Sequence, residues 1–531
     1  MDLSGEAEAR RLPPSPERSQ AGLAETSPAE LALRDIVLSG RYFGAHGGSS
    51  AATLAAALTS PDFAAATWFG AAASRFRGDQ DAMLDAIDRD IAAIDALLSA
   101  QVDAILHAPR LRRLEGMWRG LCWLVAGVVE PTRTKIRLMP VSWGEIVRDL
   151  ERAAEFDQSN LFRNIYENEF GMAGGEPFGL LVIDHELRHR PGPGAPSDDP
   201  AALTSLAGVA AAAFAPTILS ASPSLLDVDD WGDLAMTSDP AFPLRDPAHA
   251  RWRRLATRDD MRFIAVALPR LLARPPWRDD PARRDGFRYA EHAPDAASRV
   301  WMAPGYALAA NAVRAYQTHG WPADLRGIDT DRDGGGVVTE LPVEEFSTDP
   351  PGVWPRPPLD IVFNDRQERS LIEAALIPMT SLPYTADAAF VALRSLQTPA
   401  QYSSAANGEA GQAATANARL SSQFHAMLCV SRFAHYVKVI ARDMAGSFKT
   451  SDEIQRRLQT WLSKYVNTNV IAGAEARARA PLLNGQVEVQ ERPDRPGSFG
   501  CTILLQPHFQ LEDVSATFRL VTEIATPRRA A

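Results

Sequence analysis

At 531 residues with 46% hydrophobic side chains, the chain has room for about three domains, at ~150 residues each, and can bury large cores without staples. Its net charge of −11 argues against a general nucleic-acid binder, whose hold on phosphates requires a basic face. The opening MDLSGEAEARRLPPSPERS lacks the apolar stretch of a secretory signal, and Cys122, Cys429 and Cys501 lie far apart in apolar surroundings. These features lead us to expect reduced core thiols, no disulfide and a cytoplasmic protein.

Residues 1–26, rich in Pro, Glu, Arg and Ser, bury too little apolar area to offset chain entropy and are expected to be a disordered head. Residues 27–78 read as an arm. Ser27 at the N-cap, Pro28 at the first helical position and Glu30 at the third start a short helix that runs to about Leu38. Its apolar residues are Leu31, Leu33, Ile36 and Val37.

The span 79–400 reads as an α/β core. From Asp81 to Leu106 the stripe Leu84, Ile87, Ile91, Ile94, Leu98, Val102 and Ile105 predicts a long helix. A second helix follows Pro109, with Leu111, Leu114, Trp118, Leu121 and Trp123 turned wholly or partly inward and Arg110, Arg112, Arg113 and Arg119 on its charged side. IRLMPVSW is expected as a strand, EIVRDLERA as a helix, PFGLLVIDHEL as a buried strand and LDIVFN as another strand. The uncharged run from Pro200 to Leu226 is mostly Ala, which transfers too weakly to favour a bilayer, so it is expected as an interior helix followed by a turn at Ser222-Pro223. Helix is also expected over 301–320, and helices and strands alternate as in a mixed α/β protein.

Several patterns mimic active sites. His185-Glu186-Leu187-Arg188-His189 has zinc-protease spacing, but that chemistry needs a helix, and here the motif leaves a strand with no convincing third ligand downstream. Asp329, Asp331, Asp333 and Glu340 match a calcium loop, yet Pro322 and Pro342 stand where its helices belong, and Gly336 replaces the usual apolar residue. Gly446-Ser447-Phe448-Lys449-Thr450 is only a fragment of a phosphate loop, and there is no serine-hydrolase elbow. The expectation is therefore no enzyme, no cofactor and no metal, with a zinc metalloprotease and a calcium-binding module as the alternatives.

Residues 401–416 read as a flexible linker and 417–531 as a C-terminal domain. Leu420, Phe424, Met427, Leu428, Phe433, Val437, Ile440 and Met444 give 417–449 one broad apolar face, with Asn417 as N-cap and Gly446 as stop. Such a helix should act as a central strut. Strands follow: Val487 and Val489, then a turn, then Ile503 and Leu505, then the alternation of Phe509, Leu511, Phe518 and Leu520. Three strands with few partners leave edges that another chain can use.

ILHAPRLRRLEGMWRGL, FGLLVID, ARLSSQFHAMLCVSRFAHYVKVIARDMAGSF and QPHFQLEDVSATFRLV, in this order over residues 80 to 526, resemble the large subunit of the contractile sheath of bacterial type VI secretion systems. The resemblance implies a structural protein with a tail-sheath-like fold that pairs strands with neighbouring subunits. It implies a heterodimer with a small sheath subunit, further copies of itself in a helical lattice, an inner tube protein, a baseplate and a recycling AAA+ ATPase, with neither nucleic acid nor membrane insertion. By the same analogy the arm helix, with Leu31, Leu33, Ile36 and Val37, would be what the ATPase grips.

Overall fold

A computed structural model describes residues 33–39, 65–66, 68–172, 174–282, 286–328, 334–401, 414–415, 417–444, 450–469, 472–491, 499–508 and 518–524. The expected head (1–26), the start signal at Ser27 to Glu30, the stop at Gly446 and most of the 401–416 linker lie outside these residues. The chain forms two compact units, residues 1–106 with 277–291 and residues 107–276 with 292–531.

The first unit contains helices α1 (Leu33–Leu38) and α2 (Gln80–Leu106). Asp90 is buried on α2, where both carboxylate oxygens accept from Arg34 Nε of α1 at 2.9 and 2.8 Å and one accepts from Trp68 Nε1 at 2.9 Å. Burial pushes the Asp90 carboxyl up, but these donors outweigh it and hold the group below its ordinary range. The heptad positions Leu84, Ile91, Leu98 and Ile105 are exposed, so the stripe read from the sequence is a surface feature of α2.

The second unit carries α3 (Pro109–Ala126), α4 (Trp143–Arg152), β1 (Leu181–Leu187), α5 (Asp199–Ala213), β2 (Thr217–Ala221), α6 (Ala250–Ala256), β3 (Ile264–Leu268), β4 (Leu271–Arg274) and β5 (Val300–Met302). Next come α7 (Pro304–His319), β6 (Val337–Val338), α8 (Asp365–Glu373), β7 (Ile377–Pro378), β8 (Thr380–Ser381) and β9 (Ala388–Ala389). It ends with α9 (Phe424–Met444), α10 (Ser451–Ser463), α11 (Ala474–Arg479), β10 (Leu482–Glu491), β11 (Phe499–Pro507) and β12 (Phe518–Ile524). The fold is mixed α/β, as the alternation predicts.

Its centre is a parallel sheet of order β1-β2-β3-β7. Side chains alternate across it: Leu219, Ile264, Val266 and Leu268 enter one core, and Ile218, Ala265 and Ala267 the other. Both faces are covered, which is why FIAVAL reads as a continuous apolar run rather than a polar–apolar alternation. The buried α5 fills the first core together with α9, while Tyr306 and Leu308 of α7 fill the second.

Helix α9 belongs to both cores, through Phe424 and Leu428 on one side and Met427, Phe433, Val437 and Met444 on the other. Trp321 stacks on Phe433 with ring centres 3.9 Å apart, and Trp461 and Tyr465 pack edge-on against the same ring. The expected strut is present but interrupted. Asn417 is already helical, and the helix breaks at Ser422-Gln423, where Ser395 donates backbone N–H and Oγ to the Ser422 carbonyl and Phe424 N–H donates to Leu393 O.

Other departures have equally local causes. The Pro200–Leu226 run is not one helix: Phe214 turns left-handed, Pro216 blocks continuation, and TILSA becomes the fully buried β2. IRLMPVSW and LDIVFN are not strands; Ile136, Leu138, Met139 and Val141 are exposed, and LDIVFN contributes only a bridge at Leu359. Helix α3 turns Gly116, Gly120 and Leu124 inward and leaves Leu114, Trp118 and Cys122 exposed, because the glycines admit the backbone of β5 and the ring of Tyr306. Cys122 is thus no core thiol, while Cys429 and Cys501 are buried and pushed up to about 12 by that burial.

A Cβ at Gly116 would stand 2.0 Å from the Trp301 carbonyl oxygen. Gly116→Ala is therefore expected to destabilise the second unit by about 1–3 kcal/mol, measured by urea unfolding, while Gly144→Ala, with open space at its Cβ, serves as the neutral control.

Candidate assembly surfaces

The C-terminal sheet has order β10-β11-β12, antiparallel throughout. Val487, Val489, Ile503 and Leu505 point into the main core beside Cys501 and Leu482. Their side chains are interior, so these four residues offer a neighbour backbone only. Phe518 and Leu520 lie on β12, while Phe509 and Leu511 fall outside the described residues.

The two edges of this sheet differ. At the start of β10, Leu482 exchanges backbone hydrogen bonds with Tyr465 O and Asn467 N. Farther along, two side chains one helical turn apart on α10 take the place of a strand. Gln459 donates to Gly485 O at 2.9 Å and accepts from Val487 N at 2.9 Å, and Gln455 accepts from Val489 N at 3.1 Å. With these three outward groups taken and α10 lying along the strand, this edge has no room for an added strand. The capping box of Thr450 and Glu453 fixes the start of α10, and a Cβ at Gly485 would meet Leu462 at 2.8 Å, so only glycine lets the helix lie this close.

The outer edge of β12 has no strand partner among the described residues. Its outward groups follow from the alternation of an antiparallel ladder. Since Val487 and Val489 point away from β11, their register partners Ile503 and Cys501 point toward β12, where they meet Leu520 and Thr522. Arg519, Val521 and Glu523 therefore direct backbone N–H and C=O outward.

The polar motifs do not converge. His185 lies on β1, stacks on Trp143 at 4.5 Å and approaches Asp199 Oδ2 at 3.2 Å. Asp199 also accepts from Trp143 Nε1, Ser197 Oγ and Arg188 N; burial pushes its carboxyl up, but His185 foremost, then Arg188 N and Ser197 Oγ, hold it below the usual range. Glu186 sits 4.0 Å from Arg270, which is committed to Asp360 at 2.6 Å. His189, beyond the strand, turns to Asp227 and His249. The two histidines of the zinc-protease spacing thus serve different carboxylates, as expected where a strand replaces a helix.

Asp329, Asp331 and Asp333 fall outside the described residues, and Glu340 is exposed. Gly336 sits where a Cβ would meet the Phe390 carbonyl oxygen at 2.0 Å, and its own carbonyl accepts from Asn311 Nδ2 at 3.0 Å. This glycine thus answers to packing. In the arm, Leu31 lies outside the described residues, Leu33 and Ile36 lie on α1, and Val37 is half-buried. No single helix among the described residues is long and apolar enough to cross a membrane.

The sequence alone did not single out Gln455 and Gln459, although their i, i+4 spacing on a capped amphipathic helix is readable; what they face is not.

Two family models match the chain: "EvpB/VC_A0108, tail sheath N-terminal domain" over residues 88–397 and "EvpB/VC_A0108, tail sheath gpW/gp25-like domain" over residues 413–524. A curated relative, the type VI secretion system sheath protein TssC1 of Pseudomonas aeruginosa, is 35% identical over 452 residues, covering 84% of this chain and 87% of the relative. Among solved structures, a chain of the anti-feeding prophage baseplate matches 62% of this chain and 63% of its own length at 9% identity and a TM-score of 0.30.

Proposed function

Because the chain belongs to the type VI secretion contractile-sheath family as a sheath large subunit, we propose that it pairs with a small sheath subunit and that these heterodimers stack into a helical tube around an inner tube. A contact repeated with a rotation and a rise generates a helix of open length, so one brick suffices. The extended lattice grows from a baseplate and stores the energy of contraction, and no nucleotide site is required of this chain. Backbone pairing at the β12 edge links neighbouring subunits while their bodies rotate, because main-chain hydrogen bonds hold at a strand edge whatever the side chains around them do. The observation carrying this reading is the asymmetry of the C-terminal sheet, with β10 covered by Gln455 and Gln459 and β12 without a strand partner among the described residues. Co-expression with the adjacent small subunit and negative-stain microscopy tests it: tubes support it, and a well-behaved monomer that never polymerises would sink it.

In the same reading, α1 is the handle for a recycling AAA+ ATPase, kept in place in the extended state by Arg34 and Asp90. Asp90→Asn removes the charge from a buried carboxylate whose two oxygens share the Nε–H of Arg34, a loss of about 1–3 kcal/mol. Limited proteolysis should then cut near α1 in extended sheaths, where the parent chain resists; equal cleavage in both would remove the handle from the proposal. Deleting residues 1–40 should spare contraction but leave contracted sheaths undissolved by the ATPase.

A further inference from the structure

Between α3 and α4 the chain runs through IRLMPV with neither helix, turn nor strand pairing, although its two ends and its flank are fixed. At the entry, Gln317 of α7 accepts from Val129 N at 3.2 Å and donates to Thr134 Oγ1 at 3.1 Å, and Arg133 donates to the Gln317 carbonyl at 3.0 Å. At the exit, Ser142 and Glu145 form the capping box that starts α4. In between, Lys135 pairs with Glu176, and Arg137 pairs with Glu169 and Glu176 and lies over the Phe178 ring at 5.7 Å.

Lys135 and Arg137 thus reach the same carboxylate, while Ile136 and Leu138 stay in solvent, a side-chain period of two that belongs to a strand. The main chain has no matching partner. Among the described residues, no backbone N–H from Lys135 to Met139 donates a hydrogen bond. The stretch ends at Pro140, beyond which Val141 N turns back onto Met139 O at 2.9 Å. Ile136, Leu138, Met139 and Val141 are between 38% and 57% exposed. A row of bare amides is thereby pinned in place beside large apolar side chains that water does not favour.

We propose that residues 134–139 are one strand of a ladder completed by another chain, and that the strand laid beside them comes from the small subunit of the heterodimer, on which reading this inference rests. Main-chain groups in a row are matched by main-chain groups, so the visitor is an extended segment of about six residues, an ordinary strand length. Charge does not select it, because Glu169 and Glu176 already neutralise Lys135 and Arg137. Its own apolar residues alternate so as to cover Ile136 and Leu138. A second copy of this chain does not fit the place. Two copies meeting through the same segment form a closed two-fold pair, which has no room in a tube that grows in one direction from a baseplate. A bare apolar edge also invites aggregation, so its cover must be present from synthesis onward, as a heterodimer partner is and a lattice neighbour, arriving only as the tube grows, is not.

Hydrogen exchange on the complex of this chain with the small subunit, read by mass spectrometry, tests the ladder without any substitution. Peptides spanning 134–139 are expected to exchange about 100-fold or more slowly than an unstructured peptide. Exchange at the unstructured rate in an intact complex overturns the proposal. Replacing Leu138 by a photoreactive benzophenone amino acid identifies the visitor: a crosslink to the small subunit is expected, and a crosslink to a second copy or back into the same chain overturns the assignment. Ile136→Asp together with Leu138→Asp puts charge under the apolar cover and should reduce the co-purified small subunit at least about tenfold, while Val129→Asp, at a side chain 84% exposed outside the segment, leaves it unchanged. Equal recovery from the two variants also overturns it. A parent chain that retains no small subunit takes this inference and the sheath reading down together, whereas a complex that forms tubes with 134–139 in rapid exchange ends this one alone.

Discussion

Replacing Val521 by proline is expected to leave a folded subunit that builds no tubes. The register of the C-terminal sheet makes the backbone N–H of Val521 point away from β11, at the middle of the one edge that no strand covers among the described residues. Proline there removes a donor that the chain does not use for its own ladder, a position where edge strands tolerate it. A strand arriving from a neighbour loses its central hydrogen bond and meets the pyrrolidine ring. Leu520→Pro is the counterpart, because the N–H of Leu520 faces Ile503 inside the sheet and its loss should lower the stability of the subunit itself. Negative-stain images and a urea titration of each variant separate the two effects. Tubes of ordinary length from Val521→Pro would show that assembly does not run through this edge.

The second large effect is acid lability of the second unit. His425 and His435 are buried on α9, and burial, the leading cause for both, pushes each imidazole down to about 3; the Ala213 carbonyl, 3.0 Å from His435 Nε2, opposes the shift only in part. In the unfolded chain each titrates near 6.5. The unfolded state therefore binds more protons below that pH, so stability is complete above about 6.5 and declines as pH falls toward 3. At pH 5 the loss is about 2 kcal/mol for each histidine, or about 4 kcal/mol for the pair. Urea unfolding at pH 7.5 and pH 5 measures it. His435→Gln, which keeps a donor near the Nε2 position, should remove about half of the difference; an unchanged pH dependence in that variant would mean that other groups govern it.

Helix and strand identity in this chain was legible wherever a face is buried by a regular period. The apolar stripe of α9, the strand FIAVAL and the alternation Val487, Val489, Ile503, Leu505 all follow from side chains that meet the core at helical or strand spacing. Sequence reasoning failed where the contact is made by what is missing from a side chain. Trp118 reads as an inward anchor, yet the glycines beside it are what touch β5 and Tyr306. IRLMPVSW has the composition of a strand, but no partner strand lies beside it among the described residues, and composition cannot supply one. The break just before α9 is written in a distant segment, Leu393 to Ser395, whose backbone competes for Ser422 and Phe424.

Gln455 and Gln459 also determine how many guests the sheet can host. A ribbon with both margins free would fuse with its own kind indefinitely, the route by which globular proteins become fibres. Here one margin is occupied by the chain's own amides, so under the proposed strand pairing the sheet has a valence of one, at the β12 margin that no strand covers among the described residues.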